Sequence, residues 1–271
     1  MTKLTMLGTG NALVSECFNT CFVISSKSGN LLVDTGGGNY LIHQLRHSGF
    51  DLQDIHNIFI SHSHIDHILG VIWVIRLSAQ LMNKNRFEGD VNIYSHNEVI
   101  ELLYLLANKL LLPYQAAFIG PRIHLIAINH EETRNISGYE LKFFDIGSTR
   151  TKQFGFVLSY DDSRKLTFCG DEPCSPQCEK YAVDSEWLLH EAFCLYSQAD
   201  IFNPYEKHHS TVKDACELAQ RLRVKNLLLY HTEEKNLSHR KELYTQEGSR
   251  YFTGNIFIPD DLETLDISSI V

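Results

Sequence analysis

Three histidines and an aspartate fall within six consecutive positions, His62-Ser63-His64-Ile65-Asp66-His67, directly after the apolar run Ile55 to Ile60. Neutral imidazole and carboxylate are ligands that suit zinc and related divalent metals. His62 and His64 are two apart, so in an extended segment they point the same way. Asp66 and His67 follow at a turn and can face a second point nearby. The spacing therefore predicts two metal positions sharing one pocket, with His62 and His64 at the first and Asp66 and His67 at the second. The plain alternative is a polar loop that is histidine-rich by chance, since the chain holds 14 histidines.

The cluster also constrains the fold, because a strand must deliver it and the apolar stretch Ile68 to Met82 must leave it as a helix. Upstream, Lys3 to Leu7 reads as a strand, and Cys21 to Ser25 with Asn30 to Asp34 reads as a hairpin around Ser26-Lys27-Ser28-Gly29. Asp34-Thr35-Gly36-Gly37-Gly38 ends that hairpin without a phosphate-cradle pattern. Its glycines let the backbone pass close to the histidine loop, and Asp34 can buttress that loop from behind the ligands. Tyr40 to Ser48 reads as a helix closed by Gly49, and Asn97 to Leu112 as another.

Downstream, Arg122 to Ile128, Tyr139 to Phe144, Phe154 to Tyr160 and Lys165 to Cys169 look like four strands of a second sheet. Trp187 to His190 and Asn226 to Tyr230 add two more. A helix, Thr211 to Leu222, lies between the last two, with Ser210 or Thr211 as its N-cap. After Asp260 a short irregular or strand segment finishes the chain. Two strand-rich halves, each followed by helices, predict an α/β four-layer αββα sandwich built as one domain over residues 1–271.

The strand Lys165 to Cys169 ends in Gly170-Asp171, and a carboxylate so presented can bridge two cations roughly 3.5–4 Å apart. A plain turn aspartate is the other reading. Leu227 to Tyr230 delivers His231 in the same manner, although a histidine past an apolar strand is often only a surface residue. Cys169, Cys174 and Cys178 surround Asp171 as potential soft ligands, but their irregular spacing argues against a zinc knuckle.

Seven cysteines without a signal-peptide layout predict free thiols in a reducing cytoplasm. No run approaches the ~20 apolar residues of a membrane span, so no membrane partner is expected. The net charge of −9 argues against a protein that grips nucleic acid through a broad basic face.

The signature His62-x-His64-x-Asp66-His67 resembles that of the metallo-β-lactamase superfamily. With Gly170-Asp171, His231, Glu191-Ala192 and His209-Ser210-Thr211, the chain is most similar to the ribonuclease Z branch. The resemblance implies the αββα sandwich with the site on one edge, and Asp34 as the buttress of the metal loop. It implies His62, His64 and Asp171 at one metal, and Asp66, His67, Asp171 and His231 at the other. Zinc is the implied metal, one or two ions per chain, with manganese or iron as alternatives. It also implies that His209, paired with Glu191, supports the scissile phosphate and the leaving group. A glutamate on one ring nitrogen fixes the tautomer and makes the histidine a competent proton donor. The plain alternative is a helix cap with His209 solvated. Asp66 can bind metal and orient the attacking water, and a homodimer is the common assembly of such proteins.

Two departures matter. The superfamily places a further histidine before its Gly-aromatic pair, here Gly155-Phe156, yet Glu131 to Leu189 contains none. Asp145 to Thr149 stands in its place, which predicts an intact second metal position and a weaker first one, with Asp145 as a candidate substitute. The ribonuclease Z branch also carries a long basic tRNA-gripping arm, whereas Asp161-Asp162-Ser163-Arg164 reads as a tight turn. A phosphodiesterase for a small or short nucleic-acid diester is therefore expected, with folded tRNA an unlikely partner. Hydrolysis of a carbon-centred ester, thioester or lactone, or non-catalytic metal binding, are the other readings.

Overall fold

A computed structural model describes residues 2–160 and 164–268. The first half runs β1 (Lys3–Gly8), β2 (Cys21–Ser26), β3 (Gly29–Val33), α1 (Tyr40–His47), β4 (Asn57–Phe59), α2 (Ile65–Asn83), β5 (Val91–Ser95), α3 (Asn97–Leu110), α4 (Pro113–Ala116) and β6 (Ile123–Ala127). The second half runs β7 (Thr133–Ile136), β8 (Tyr139–Asp145), β9 (Phe154–Ser159), β10 (Lys165–Phe168), α5 (Glu179–Ala182), β11 (Trp187–Glu191), α6 (Ala199–Phe202), α7 (Val212–Arg221), β12 (Asn226–Tyr230), α8 (Arg240–Gly248), β13 (Asn255–Phe257) and β14 (Thr264–Asp266).

The strands form two seven-stranded sheets, ordered β14-β1-β2-β3-β4-β5-β6 and β13-β12-β11-β10-β9-β8-β7. Alternate residues of each apolar run go to different cores, which is why the runs are apolar throughout. In β2, Phe22 and Ile24 face the core between the sheets, while Cys21 and Val23 face the helices outside. In β12, Leu228 and Tyr230 face inward, and Leu227 and Leu229 pack under α7 and α8. The layers are therefore helix, sheet, sheet, helix, as the sequence predicts.

Several assignments need correction. The strand at Ile123–Ala127 belongs to the first sheet, not the second, because it pairs in parallel with β5. The helix crossover from β5 through α3 returns the chain beside β5, and strand composition carries no record of that choice. Three short strands, β5, β7 and β13, and helices α4, α5, α6 and α8 add to the elements expected, and the segment expected after Asp260 contains the strand β14. α2 begins at Ile65, so Asp66 and His67 sit in its first turn rather than in a preceding loop. This 19-residue helix is also apolar and long enough to span a membrane, contrary to the expectation of no such run. Within the fold more than half of it is buried, including both of those polar residues. The expected turn at 161–163 lies outside the described residues.

The first turn of α2 is pinned to the segment after β3. Thr35 donates to the His67 carbonyl from its backbone N–H at 2.9 Å and its hydroxyl at 2.7 Å, and the Gly70 N–H donates to the Gly36 carbonyl. Gly70 makes this approach possible, since a Cβ there would lie 2.0 Å from the Thr35 carbonyl oxygen. Gly70→Ala is expected to cost about 1–3 kcal/mol by overpacking. An unchanged thermal midpoint would show that the helix can shift freely.

Candidate metal centre

The parallel strands β3, β4, β10, β11 and β12 all finish at one edge of the sandwich, and the polar residues follow their C-terminal ends. Asp34 follows β3, His62 to His67 follow β4, Asp171 follows β10, Glu191 closes β11 and His231 follows β12. Sites in open α/β sheets lie outside such strand ends. Asp34 and His231 adopt the left-handed backbone region, with φ of 55° and 59°. For a histidine that conformation is uncommon and is held by its surroundings. Those surroundings are visible: Thr232 donates from its N–H to the Thr9 carbonyl, and Asn11 donates back to the Thr232 carbonyl.

Asp171 is the hub. Its Oδ2 lies 3.4 Å from His62 Nε2, 3.5 Å from His67 Nε2, 3.8 Å from His231 Nε2 and 3.9 Å from His64 Nδ1. Asp66 Oδ2 lies 3.3 Å from His67 Nε2, and His62 Nε2 lies 2.9 Å from His64 Nδ1. Ligands about 2.0–2.1 Å from a tetrahedral ion stand roughly 3.3 Å apart, so these separations fit a divalent metal. Two groups of three potential ligands form, His62, His67 and Asp171, and Asp66, His67 and His231. The sequence expectation had His67 at the second position only; the side chains converge so closely that it borders both.

The hydrogen bonds set the tautomers. Ser61 Oγ donates to Asp34 Oδ2 at 2.7 Å, so it can only accept from His62 Nδ1 at 2.9 Å. His67 Nδ1 donates to Asp34 Oδ2 at 2.8 Å. Thr20 Oγ1 donates to the Gly10 carbonyl, leaving it to accept from His231 Nδ1 at 3.3 Å. In all three rings the inner Nε2 is left facing the centre as the nitrogen free to ligate. The buried His67 Nε2 and Asp171 Oδ1 have no hydrogen-bond partner. Orphaned buried polar atoms of this kind fit a bound cation.

The electrostatics are those of one interacting cluster. Burial pulls the His67 ring down, but Asp34 and Asp66 raise it well above its ordinary value, so its Nε2 holds a proton that a bound cation would replace. Burial alone would raise the Asp66 and Asp171 carboxyls, but the imidazoles around them hold both below the usual carboxylate range. Burial keeps His231 neutral, lowering it to about 3.

Asp145 does not join the centre. Its carboxylate accepts the Gly147 N–H at 2.8 Å on its own turn, and among the described residues no group of ligands includes it. Cys169, Cys174 and Cys178 are buried free thiols, and Cys178 Sγ donates to the Asp145 carbonyl.

His209 reaches the same edge. Its Nδ1 lies 3.5 Å from Glu191 Oε2, a charge contact rather than a formed hydrogen bond. Glu191 is fully buried, and its other oxygen accepts the Ser210 N–H at 2.5 Å. Burial pulls His209 down, and Glu191 outweighs it, leaving the ring raised above its ordinary value. Thr211 resolves the alternative caps, since its hydroxyl accepts the Asp214 N–H in a capping box. Sequence reasoning missed Phe193, stacked on His209 with centroids 5.0 Å apart and planes at 4°. Its place two residues after Glu191 was the available signal. His64, Asp66, Asp171, His231, His209 and Phe193 border one cavity of about 520 Å³, which Arg150, Glu172 and Lys207 also line.

The fully buried Arg240 ties the site to the sandwich. It donates to Thr9 and Thr232 hydroxyls at 3.0 and 2.7 Å and to the Pro259 carbonyl at 2.8 Å. Arg240→Met is expected to destabilise by about 2–4 kcal/mol, because buried acceptors lose their donor. Metal affinity should fall with it, as His231 loses its anchor. A lowered melting temperature with unchanged metal affinity would contradict that link.

Comparison with known proteins follows this geometry. The chain is 25% identical to a ribonuclease Z of Thermococcus sibiricus over an alignment of 315 positions, covering 98% of this chain and 96% of the relative. Its fold matches that of YhfI from Bacillus subtilis, a metallo-β-lactamase fold protein, with TM-score 0.79, 17% identity and coverage of 97% and 98%. It also matches the short form of human tRNase Z with TM-score 0.73, 21% identity and coverage of 98% and 99%. A family model described as Anti-Pycsar protein Apyc1 matches residues 2–253. The chain belongs to that family and is a ribonuclease Z-like, metal-dependent hydrolase of the metallo-β-lactamase superfamily.

Proposed function

We propose that the protein hydrolyses a small or short nucleic-acid phosphodiester, using zinc held by His62, His64, Asp66, His67, Asp171 and His231. The single observation that carries the reading is that His209, backed by the buried Glu191, shares one cavity with the potential ligands His64, Asp66, Asp171 and His231. A carbon-centred ester with a stable leaving group needs no such proton donor opposite the metals.

When bound, the metal neutralises phosphoryl oxygens and lowers the pKa of water at the site to about 7. The chain's own residues do the rest. Asp66 orients the attacking water by accepting its hydrogen bond, and in-line attack expels the ester oxygen on the far side. His209 hands that oxygen a proton from its ring, while Glu191 and Phe193 hold the ring in place. Asp34 keeps His62, through Ser61, and His67 in their ligating tautomers.

Folded tRNA is disfavoured. Lys165 pairs with Ser159, so only residues 160–164 join β9 to β10. The alignment to the Thermococcus ribonuclease Z spans 315 positions, more than the 271 residues of this chain, so the relative carries segments with no counterpart here. The family's description suggests that this hydrolysis acts against Pycsar. Free cysteines suit a cytoplasmic protein. The half-exposed Trp73 and exposed Ile65 of α2 suit a homodimer. The two sheets share the site, so we take residues 1–271 as one domain.

Purified protein should turn over bis(p-nitrophenyl) phosphate with a kcat/KM at least about tenfold above that for p-nitrophenyl acetate, since only the diester uses the phosphate-directed groups. It should leave precursor tRNA far more slowly processed than the small diester. Preference for the acetate, or precursor tRNA cleaved at matching rates, would sink this reading.

A further inference from the structure

The cavity contains two full cations, Arg150 and Lys207. Among the described residues neither pairs with a carboxylate, although Glu172 lines the same cavity. Some cations elsewhere find acidic partners, as in Arg122 with Asp90, Arg221 with Glu179, Arg223 with Asp184 and Lys225 with Glu186, whereas others among the described residues, Arg46, Arg76 and Lys84 included, do not. What sets Arg150 and Lys207 apart is their place, two cations at the cavity that holds the potential metal ligands of a chain whose net charge is −9. They focus an otherwise unfavourable field on an incoming anion.

Their placement is built. Arg150 Nη1 donates to the Lys207 carbonyl at 3.0 Å, joining the loop before β9 to the loop before α7. His208 turns through the left-handed region at φ 63°, so that Lys207 and His209 both border the cavity. Lys207 Nζ lies 4.7 Å over the Phe193 ring, whose other stacking partner is His209. Arg150 belongs to the stretch that supplies no metal-ligating histidine.

We propose that Arg150, assisted by Lys207, is the phosphate clamp of this site. The planar guanidinium takes the non-bridging oxygens of the scissile diester, and Lys207 adds a point charge beside them. The clamp supplies charge neutralisation within the cavity that the potential metal ligands border. This rests on the phosphodiesterase reading and names the residues that make an anionic diester the substrate.

The test uses metal-loaded wild-type protein, Arg150→Ala, Arg150→Lys and Lys207→Ala. Arg150→Ala should lower kcat/KM for bis(p-nitrophenyl) phosphate about 10- to 100-fold, the effect of losing a charge-assisted hydrogen bond. The loss on p-nitrophenyl acetate should be at least tenfold smaller. Arg150→Lys should recover only part of the loss, Lys207→Ala should lower it by less than Arg150→Ala, and metal per chain should stay at the wild-type value. A change under threefold, an equal loss on both substrates, or lost metal would overturn the clamp. Titration with inorganic phosphate separates this from the parent reading. If the wild type shows no diester turnover, that reading fails. Phosphate bound at least tenfold more weakly by Arg150→Ala would still support the clamp, and unchanged phosphate binding would refute it.

Discussion

Asp171→Asn is expected to disable the centre as a whole. One oxygen of this residue lies within 3.4–3.9 Å of the ring nitrogens of four histidines, so the first ligand group loses a member and the second loses the carboxylate beside His231. An amide offers a neutral, weaker donor and an N–H₂ that faces lone pairs. Partners behind a ligand are typically worth 10–100-fold in metal affinity, so loss of the hub ligand should exceed about 100-fold. Diester turnover should fall by at least about 10³-fold, as the charge that stabilises the transition state goes with the metal. Metal titration after chelation measures the first effect. Comparing melting temperatures of chelated wild type and variant separates it from misfolding. Wild-type metal content in Asp171→Asn would remove Asp171 from its assigned role.

His209→Ala is the second large effect, and it should be selective. A positioned proton donor contributes about 10²- to 10⁴-fold to kcat. That contribution is needed when the departing oxygen is a basic alkoxide and is largely dispensable for nitrophenolate. The variant should therefore lose about 10²- to 10⁴-fold on a diester with an alkyl leaving group and much less on bis(p-nitrophenyl) phosphate. Metal content should not change, because His209 belongs to neither group of potential ligands. Equal losses on both leaving groups would mean that His209 acts in binding or packing instead.

Much of this site was legible because its residues are local. His62, His64, Asp66 and His67 share one loop and helix turn, and glycine or an apolar strand marks Asp171 and His231. The layered fold was legible too, because strands buried on both faces read as unbroken apolar runs. What escaped depends on distant contacts. Whether Ile123–Ala127 joined the first or second sheet was decided by pairing with Val91–Ser95, not by its own residues. The start of α2 moved back to Ile65 because Thr35 and Gly36 hold the first turn from another part of the chain. Asp145 was a reasonable substitute ligand by position, but its carboxylate closes its own turn. Arg150, Lys207 and Phe193 carried no motif, and only the folded cavity brings them together.

The most direct test strips the protein with chelator and measures bis(p-nitrophenyl) phosphate turnover as zinc is returned in known equivalents. The assignment of a metal-dependent phosphodiesterase predicts no turnover at zero equivalents and a rise that saturates at one or two per chain, in step with bound metal. Turnover that survives chelation, or zinc that binds fully without restoring any diester hydrolysis, would contradict it.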